Sequence, residues 1–400
     1  MVARRLMRVF SRGTTVAIAM MVMNVVTYLF NLVAARLMAP AEFGALTALL
    51  SLMLMANVIG LALQAAIARR ISVAPDHASA IVHTASRVAL AISVTAGLAV
   101  AASTIALTPA FHLSTPWAVV FCGAMIVPLT MTGALMGVAQ GTGRWRRLAV
   151  LFLGNGFGRL LGGVGGLLVD DSAAAAMAGL AIGAWLPVLL GSGLLRASRG
   201  TDVHSRRPLV AETVASAAIL LAYFAFSNVD ALIARGGFSA HDSGLYASGL
   251  IITKSTLFLP QFVSVVFFPS LARDSSHRTR VRATALVALL GLGVVAGTAL
   301  LPDLALVLVG GDQYREVAGT LWLFALSGTF LAIVYLLVFD ALARRSAGAA
   351  VLLWAATIAV FCVAWFWSIG IIGLVITMAA VGAVTSVILL ALPLLARDRT

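Results

Sequence analysis

Charge is what this sequence has least of: 10% of its 400 residues are Asp, Glu, Lys or Arg, while 62% are hydrophobic. A soluble domain carries about 25% charged residues, so a water-exposed globular surface is excluded. Lysine is nearly absent, Lys254 being the single one among 27 basic residues. Cysteine is limited to Cys122 and Cys362, both inside apolar stretches. That excludes a disulfide framework and leaves two buried thiols. The six histidines lie near loops without metal-ligand spacing. No glycine-rich loop ends in Gly-Lys-Ser/Thr, so the chain carries no phosphate-binding loop with which to drive itself by ATP. Acidic residues are scattered rather than gathered at one membrane face, which argues against a lipid-active enzyme.

What is present in abundance is long apolar sequence. Stretches of about 20 apolar residues, enough to cross a bilayer, recur about twelve times and consume nearly the whole chain. They fall at roughly 14–36, 43–68, 84–107, 115–139, 148–169, 173–196, 210–234, 244–271, 283–308, 317–341, 347–367 and 371–395. The first is too long for a signal-peptide core and reads as a retained span. The fold class expected is an all-α integral membrane protein.

The basic residues alternate between the gaps. Every second gap is crowded: Arg4 to Arg12, Arg69 to Arg87, Arg144 to Arg147, Arg196 to Arg207, Arg273 to Arg282, Arg344 with Arg345, and Arg397 with Arg399. The intervening gaps hold only Arg36, Arg235 and Arg315. Short arginine-rich loops stay cytoplasmic, so both termini are expected on the cytoplasmic side. The net charge of +13 then reflects loops beside anionic lipid headgroups rather than affinity for nucleic acid. Arginine and alanine richness is what a GC-rich bacterial gene would encode, hence a bacterial cytoplasmic membrane.

The longest polar stretch, about 197–209, divides the chain into residues 1–200 and 201–400, six spans each. An internal repeat supports that cut: NLVAARLMAPAEFGALTAL from Asn31 matches NVDALIARGGFSAHDSGLYASGL from Asn228 in its Asn, Ala-Arg, acidic residue and glycine (Gly44, Gly244). With six spans per half, the repeat is parallel, and transporters so built bind substrate between their lobes. Gly154, Gly158, Gly162 and Gly166 form a four-residue-spaced stripe that reads as close helix packing rather than a hinge.

Charges inside spans are costly and mark functional candidates. Arg159 sits near the middle of the fifth span, Lys254 within the eighth, and Asp230 in the seventh just after Asn228. A cationic lining for an anionic substrate is one reading of Arg159 and Lys254; a buried ion pair with Asp230 is the other. Arg36 lies at a cavity mouth or snorkels to the interface. Gln64 and Gln261 occupy corresponding spans of the two halves and face a substrate path or hydrogen-bond across helices. Asp340 is set aside, since Arg344 lies one turn on.

The segments Arg36–Arg70 and Asn228–Arg273 resemble the openings of the two lobes of bacterial polysaccharide-biosynthesis membrane proteins. These are oligosaccharide flippases of the multidrug/oligosaccharidyl-lipid/polysaccharide (MOP) exporter superfamily. The resemblance implies two parallel six-helix lobes around a central cationic cavity (MATE-like). It implies alternating access that carries a polyprenyl-diphosphate-linked oligosaccharide between leaflets, driven by an ion gradient or membrane potential. Arg159, Lys254, Arg36, Gln64 and Gln261 become substrate-binding candidates. Asp230, Asn228 and Thr377 become candidates for a coupling Na+ or H+, with no other cofactor or metal. Membrane lipid and a glycan polymerase or glycosyltransferases are the partners implied. A carboxylate is missing from the first span, so a first-lobe cation site is not expected. The alternatives are a cation-coupled multidrug exporter, a major facilitator protein (whose Gly-and-Asp-Arg loop signature is missing), or a non-transporting scaffold of a glycan-synthesis complex.

Overall fold

The computed structural model describes residues 2–194, 206–258, 277–343, 347–367 and 369–397, and among these all regular structure is helical. The principal helices are α1 (Val2–Leu37), α2 (Pro40–Ala56), α3 (Val58–Val73), α4 (Ala78–Ala102), α5 (Thr104–Ala110), α6 (Trp117–Gly141), α7 (Trp145–Leu167), α8 (Ala173–Gly183) and α9 (Trp185–Gly191). They continue as α10 (Arg206–Phe226), α11 (Val229–Gly237), α12 (Ala240–Thr256), α13 (His277–Leu300), α14 (Pro302–Val309), α15 (Leu321–Ala343), α16 (Ala347–Trp367) and α17 (Ile371–Arg397). Among the described residues, 10 helices are long and apolar enough to cross a membrane, or 11 if the bent pair Ala217–Phe226 and Val229–Gly237 is one span. Eleven of the expected spans are thereby accounted for. The remaining one, the eighth, is described only as far as residue 258, so Gln261 lies outside the described residues.

Large apolar side chains point outward along the helices: Leu98, Leu161, Leu289 and Val387 are each about two-thirds exposed. In water such surface would be costly; in hydrocarbon it is the required solvent face. The chain is an all-α, multi-pass membrane protein.

Several spans are more segmented than hydropathy indicates. The run expected over 283–308 stops at Leu300, because Pro302 has no N–H for the helix ladder and starts α14 instead. The run expected over 84–107 breaks after Ala102. There the Ser103 and Thr104 hydroxyls donate to the Val100 and Ala101 carbonyls, offering the backbone a local alternative to the helix. Ser239 starts α12 by accepting the Asp242 N–H at 3.0 Å, and it donates its own hydroxyl to the Asp242 carboxylate at 2.8 Å.

Two compact units are formed: Met1–Leu37 with Leu52–Leu220, and Met38–Ser51 with Leu221–Thr400. In the first, α7 packs on α1 and α8, and α6 packs on α3 and α4. These seams are built from glycine. A Cβ on Gly133 would lie 2.3 Å from the Gly60 carbonyl oxygen, and one on Gly123 would lie 2.5 Å from that of Gly97. The expected α7 stripe is the tightest seam, with Gly158, Gly162 and Gly166 against Gly183, Gly179 and Ala175. In the second unit, α15 packs on α12, α13 and α17. Tyr246 meets Phe324 edge-on at 5.2 Å, and the Thr253 hydroxyl donates to the Phe324 carbonyl at 2.9 Å.

Candidate functional site

The polar centre of the second unit is built on a broken helix. α10 ends at Phe226, α11 begins at Val229, and the two are bent by 45°. Asn228, at φ −134° and ψ −3°, is the non-helical residue between them. A break of this kind frees carbonyl groups that, inside a membrane, must find another donor. Lys254, reaching across from α12, supplies it. Its ammonium donates to the Ser227 carbonyl and to Asn228 Oδ1, the latter at 3.0 Å. Asn228 in turn donates through Nδ2 to the Phe224 carbonyl at 2.8 Å and to Ser227 Oγ at 3.1 Å.

Asp230 lies two residues beyond the break, in the first turn of α11, and is 1% exposed. Its Oδ1 accepts from the Ala231 N–H at 2.9 Å, and its Oδ2 accepts from the Tyr246 hydroxyl at 3.0 Å. The N-terminal end of a helix favours a negative charge at that place. Asp230 and Lys254 lie within each other's electrostatic field, yet among the described residues no salt bridge joins them. Each is held by neutral partners. The sequence signals Asn228, Asp230 and Lys254 but not Tyr246; its trace is the spacing of eight residues to Lys254, which puts both on one side of α12.

In the first unit, Arg159 and Asn155 stand one turn apart on α7. Arg159 Nη2 reaches Met53 Sδ and Asn155 Nδ2 reaches Met23 Sδ, both at 3.6 Å. A thioether sulfur is a weak acceptor, and among the described residues no carboxylate is bonded to Arg159. Gln64 is engaged with Gln140, donating to its Oε1 at 3.2 Å. Arg36 is exposed and lies near Tyr28. The Thr377 hydroxyl donates to the Gly373 carbonyl of its own helix at 2.8 Å. Lys254 therefore stands with the cation-coupling candidates Asn228 and Asp230, while Arg159 stands in the other unit with sulfur neighbours. Asp340 lies in α15, but its side chain falls outside the described residues, as does Arg344.

Arg235, at the end of α11, is buried at 3% exposure. It donates through Nη1 to the Ala41 carbonyl at 2.8 Å and to Ser243 Oγ at 3.0 Å. Beside it the two repeat-related glycines meet: a Cβ on Gly44 would lie 2.8 Å from the Gly244 nitrogen, and one on Gly244 would lie 2.0 Å from the Pro40 carbonyl oxygen. Arg235→Met is expected to lower stability by about 2 kcal/mol, since it removes two hydrogen bonds donated by a buried charged group. Thermal unfolding in detergent checks this; an unchanged midpoint would mean that the two bonds contribute nothing.

No protein-family model matches the sequence, and no curated protein matches it. Solved structures do match in fold. An inward-facing multidrug resistance MATE family transporter of the MOP superfamily superposes with a TM-score of 0.70 at 15% identity, covering 96% of this chain and 99% of that one. The fold is MATE-like. The lipid II flippase MurJ, in an inward closed conformation, shares it with a TM-score of 0.69 at 10% identity, covering 95% of this chain and 87% of that one. The MATE multidrug transporter DinF-BH shares it with a TM-score of 0.64 at 14% identity, covering 99% of this chain and 96% of that one. The MATE-like fold is thus common to a drug transporter and a lipid flippase, and at these identities it assigns no residue a role.

Proposed function

We propose that the protein is a transporter that moves a polyprenyl-diphosphate-linked oligosaccharide from the inner to the outer leaflet of a bacterial cytoplasmic membrane. The observation that carries this reading is Arg159, a cation within a span whose side-chain bond is to a methionine sulfur. A guanidinium so weakly engaged is available to a diphosphate, which it can bind through paired N–H donors. Arg36 and Gln64 are supporting candidates in the same unit, and Gln261 is a further one. The arginine-rich gaps support a cytoplasmic position for both termini. Transport is by alternating access, powered by an ion gradient or the membrane potential through Asp230. A driving ion does work only if it binds the inward- and outward-open states differently. The glycan polymerase or glycosyltransferases of the same pathway are the partners this reading implies.

The test is mass spectrometry of lipid extracts from cells with and without the gene, complemented by wild type or Arg159→Gln. Accumulation of a polyprenyl-diphosphate glycan on deletion is expected, with at least ~10-fold weaker rescue by Arg159→Gln, the loss of one charge-assisted bidentate contact. Full rescue by a correctly inserted variant would remove Arg159 from the substrate path and favour a scaffold. The second reading is a cation-coupled drug exporter, supported by the fold shared with multidrug transporters and by the methionines Met23 and Met53, whose thioethers suit varied apolar ligands. Unchanged lipid-linked glycans together with new sensitivity to cationic drugs would select it.

A further inference from the structure

The cation at the bend of the seventh span belongs to the chain itself. Three oxygens lie within the four residues of the bend: the Ser227 carbonyl freed by the break, Asn228 Oδ1 and, beyond salt-bridge distance of the Lys254 ammonium, the Asp230 carboxylate. Unwound carbonyls and half-helix ends inside a membrane are the donor type that coordinates a small monovalent cation. The first two of these oxygens are already taken by one ammonium group, that of Lys254. The third lies within the electrostatic field of that ammonium, while its own hydrogen bonds come from Tyr246 and Ala231. An ammonium is a compact, strongly hydrated point charge on a flexible stem, and once its shell is replaced by protein oxygens it fills the volume and charge of an alkali ion. No second lysine exists to be exchanged for it, since Lys254 is the only one in the sequence.

We propose that Lys254 is a tethered counter-cation: it occupies the oxygen site of the bent span, so that the wild-type protein takes no alkali ion there. Shortening the side chain exposes a site for a monovalent metal cation, Na+ foremost. The inference concerns ion occupancy and stands apart from the identity of the transported substrate. Its bearing on coupling rests on the transport reading above: a metal-ion gradient would then not act through Asp230, and a proton or the membrane potential would take its place.

The experiment uses the full chain purified in detergent, with thermal midpoints compared in choline, lithium, sodium and potassium chloride at one ionic strength. Wild type is expected to show the same midpoint in all four. Lys254→Ala is expected to gain a saturable rise of several degrees on exchanging choline for sodium, and the double variant Lys254→Ala with Asp230→Asn to lose that rise. A saturable sodium-dependent rise in wild type would overturn the proposal. So would a well-folded Lys254→Ala indifferent to every salt. Should Lys254→Ala survive purification only in sodium, that too supports it. Should it survive in none, binding of radioactive sodium to wild type decides: no displaceable binding upholds the tethered cation, and stoichiometric binding lost in Asp230→Asn refutes it. Failure here leaves the glycan-accumulation test untouched, because that test follows lipid cargo rather than ion occupancy.

Discussion

Gly162→Leu is expected to leave no monodisperse protein after detergent extraction, while Gly165→Leu, three residues on in the same helix, gives a normal yield. The contrast follows from what each new side chain would meet. A Cβ at 162 would lie 2.3 Å from the Gly179 carbonyl oxygen and 2.9 Å from the Gly183 Cα, whereas one at 165 meets nothing within 4 Å. The obstructing atoms are backbone, so no rotamer change relieves the overlap. α7 and α8 would have to part, opening the neighbouring contacts of Gly158 with Gly183 and Gly166 with Ala175. In lipid there is no hydrophobic drive to press two helices together; close packing and weak Cα–H···O contacts hold them. Overpacking alone costs about 1–3 kcal/mol in a soluble core. Here the lost seam adds to it, and α7 is also the helix that positions Arg159. Size-exclusion profiles and thermal midpoints of the two variants are the readout; a normal Gly162→Leu profile would mean that the seam is not needed for assembly.

The stripe behind that prediction was readable in the sequence, because four-residue spacing of the smallest residue has one common physical use within a span. The spans were equally readable, since apolar length and arginine alternation are properties of composition. The bends were not. The Ser227-Asn228 break carries neither proline nor glycine, and a hydropathy window over 210–234 is indifferent to a 45° change of direction. Asp230 and Asn228 stood out as polar residues in apolar surroundings, but the bonds of Lys254 did not. One of them goes to a backbone carbonyl, which has no residue identity to betray it. The pairing of Gln64 with Gln140 is hidden for another reason, their sequence separation of 76. The repeat also hides its own divergence. Asn31 donates to the Thr27 carbonyl inside an unbroken α1, whereas Asn228 makes the equivalent bond to Phe224 at a bend. Likewise Arg36 is exposed where its counterpart Arg235 is buried. Matching letters in the two halves serve different geometry.

Asp230→Asn is expected to abolish transport while the protein still inserts and folds. The substitution keeps the side chain's shape and one acceptor oxygen, so either the Ala231 N–H or the Tyr246 hydroxyl retains its bond. The two bonds of Lys254 go to other oxygens and survive. What is lost is the charge that balances the ammonium. With buried partners held by neutral groups, the expected cost is about 1–3 kcal/mol, short of the roughly 5–15 kcal/mol that keeps a domain folded. Transport is affected far more, because an uncharged amide cannot change its charge between inward- and outward-open states, and without such a difference no gradient can bias the cycle. Adding Lys254→Met removes the stranded ammonium, so the double variant should recover part of the lost stability and none of the transport. That split separates coupling from packing: a purely structural pair would recover both together or neither. The measurement is accumulation of the lipid-linked glycan in cells carrying each variant, beside the thermal midpoint of each purified protein. Wild-type levels of the lipid with Asp230→Asn would end the coupling role of this carboxylate.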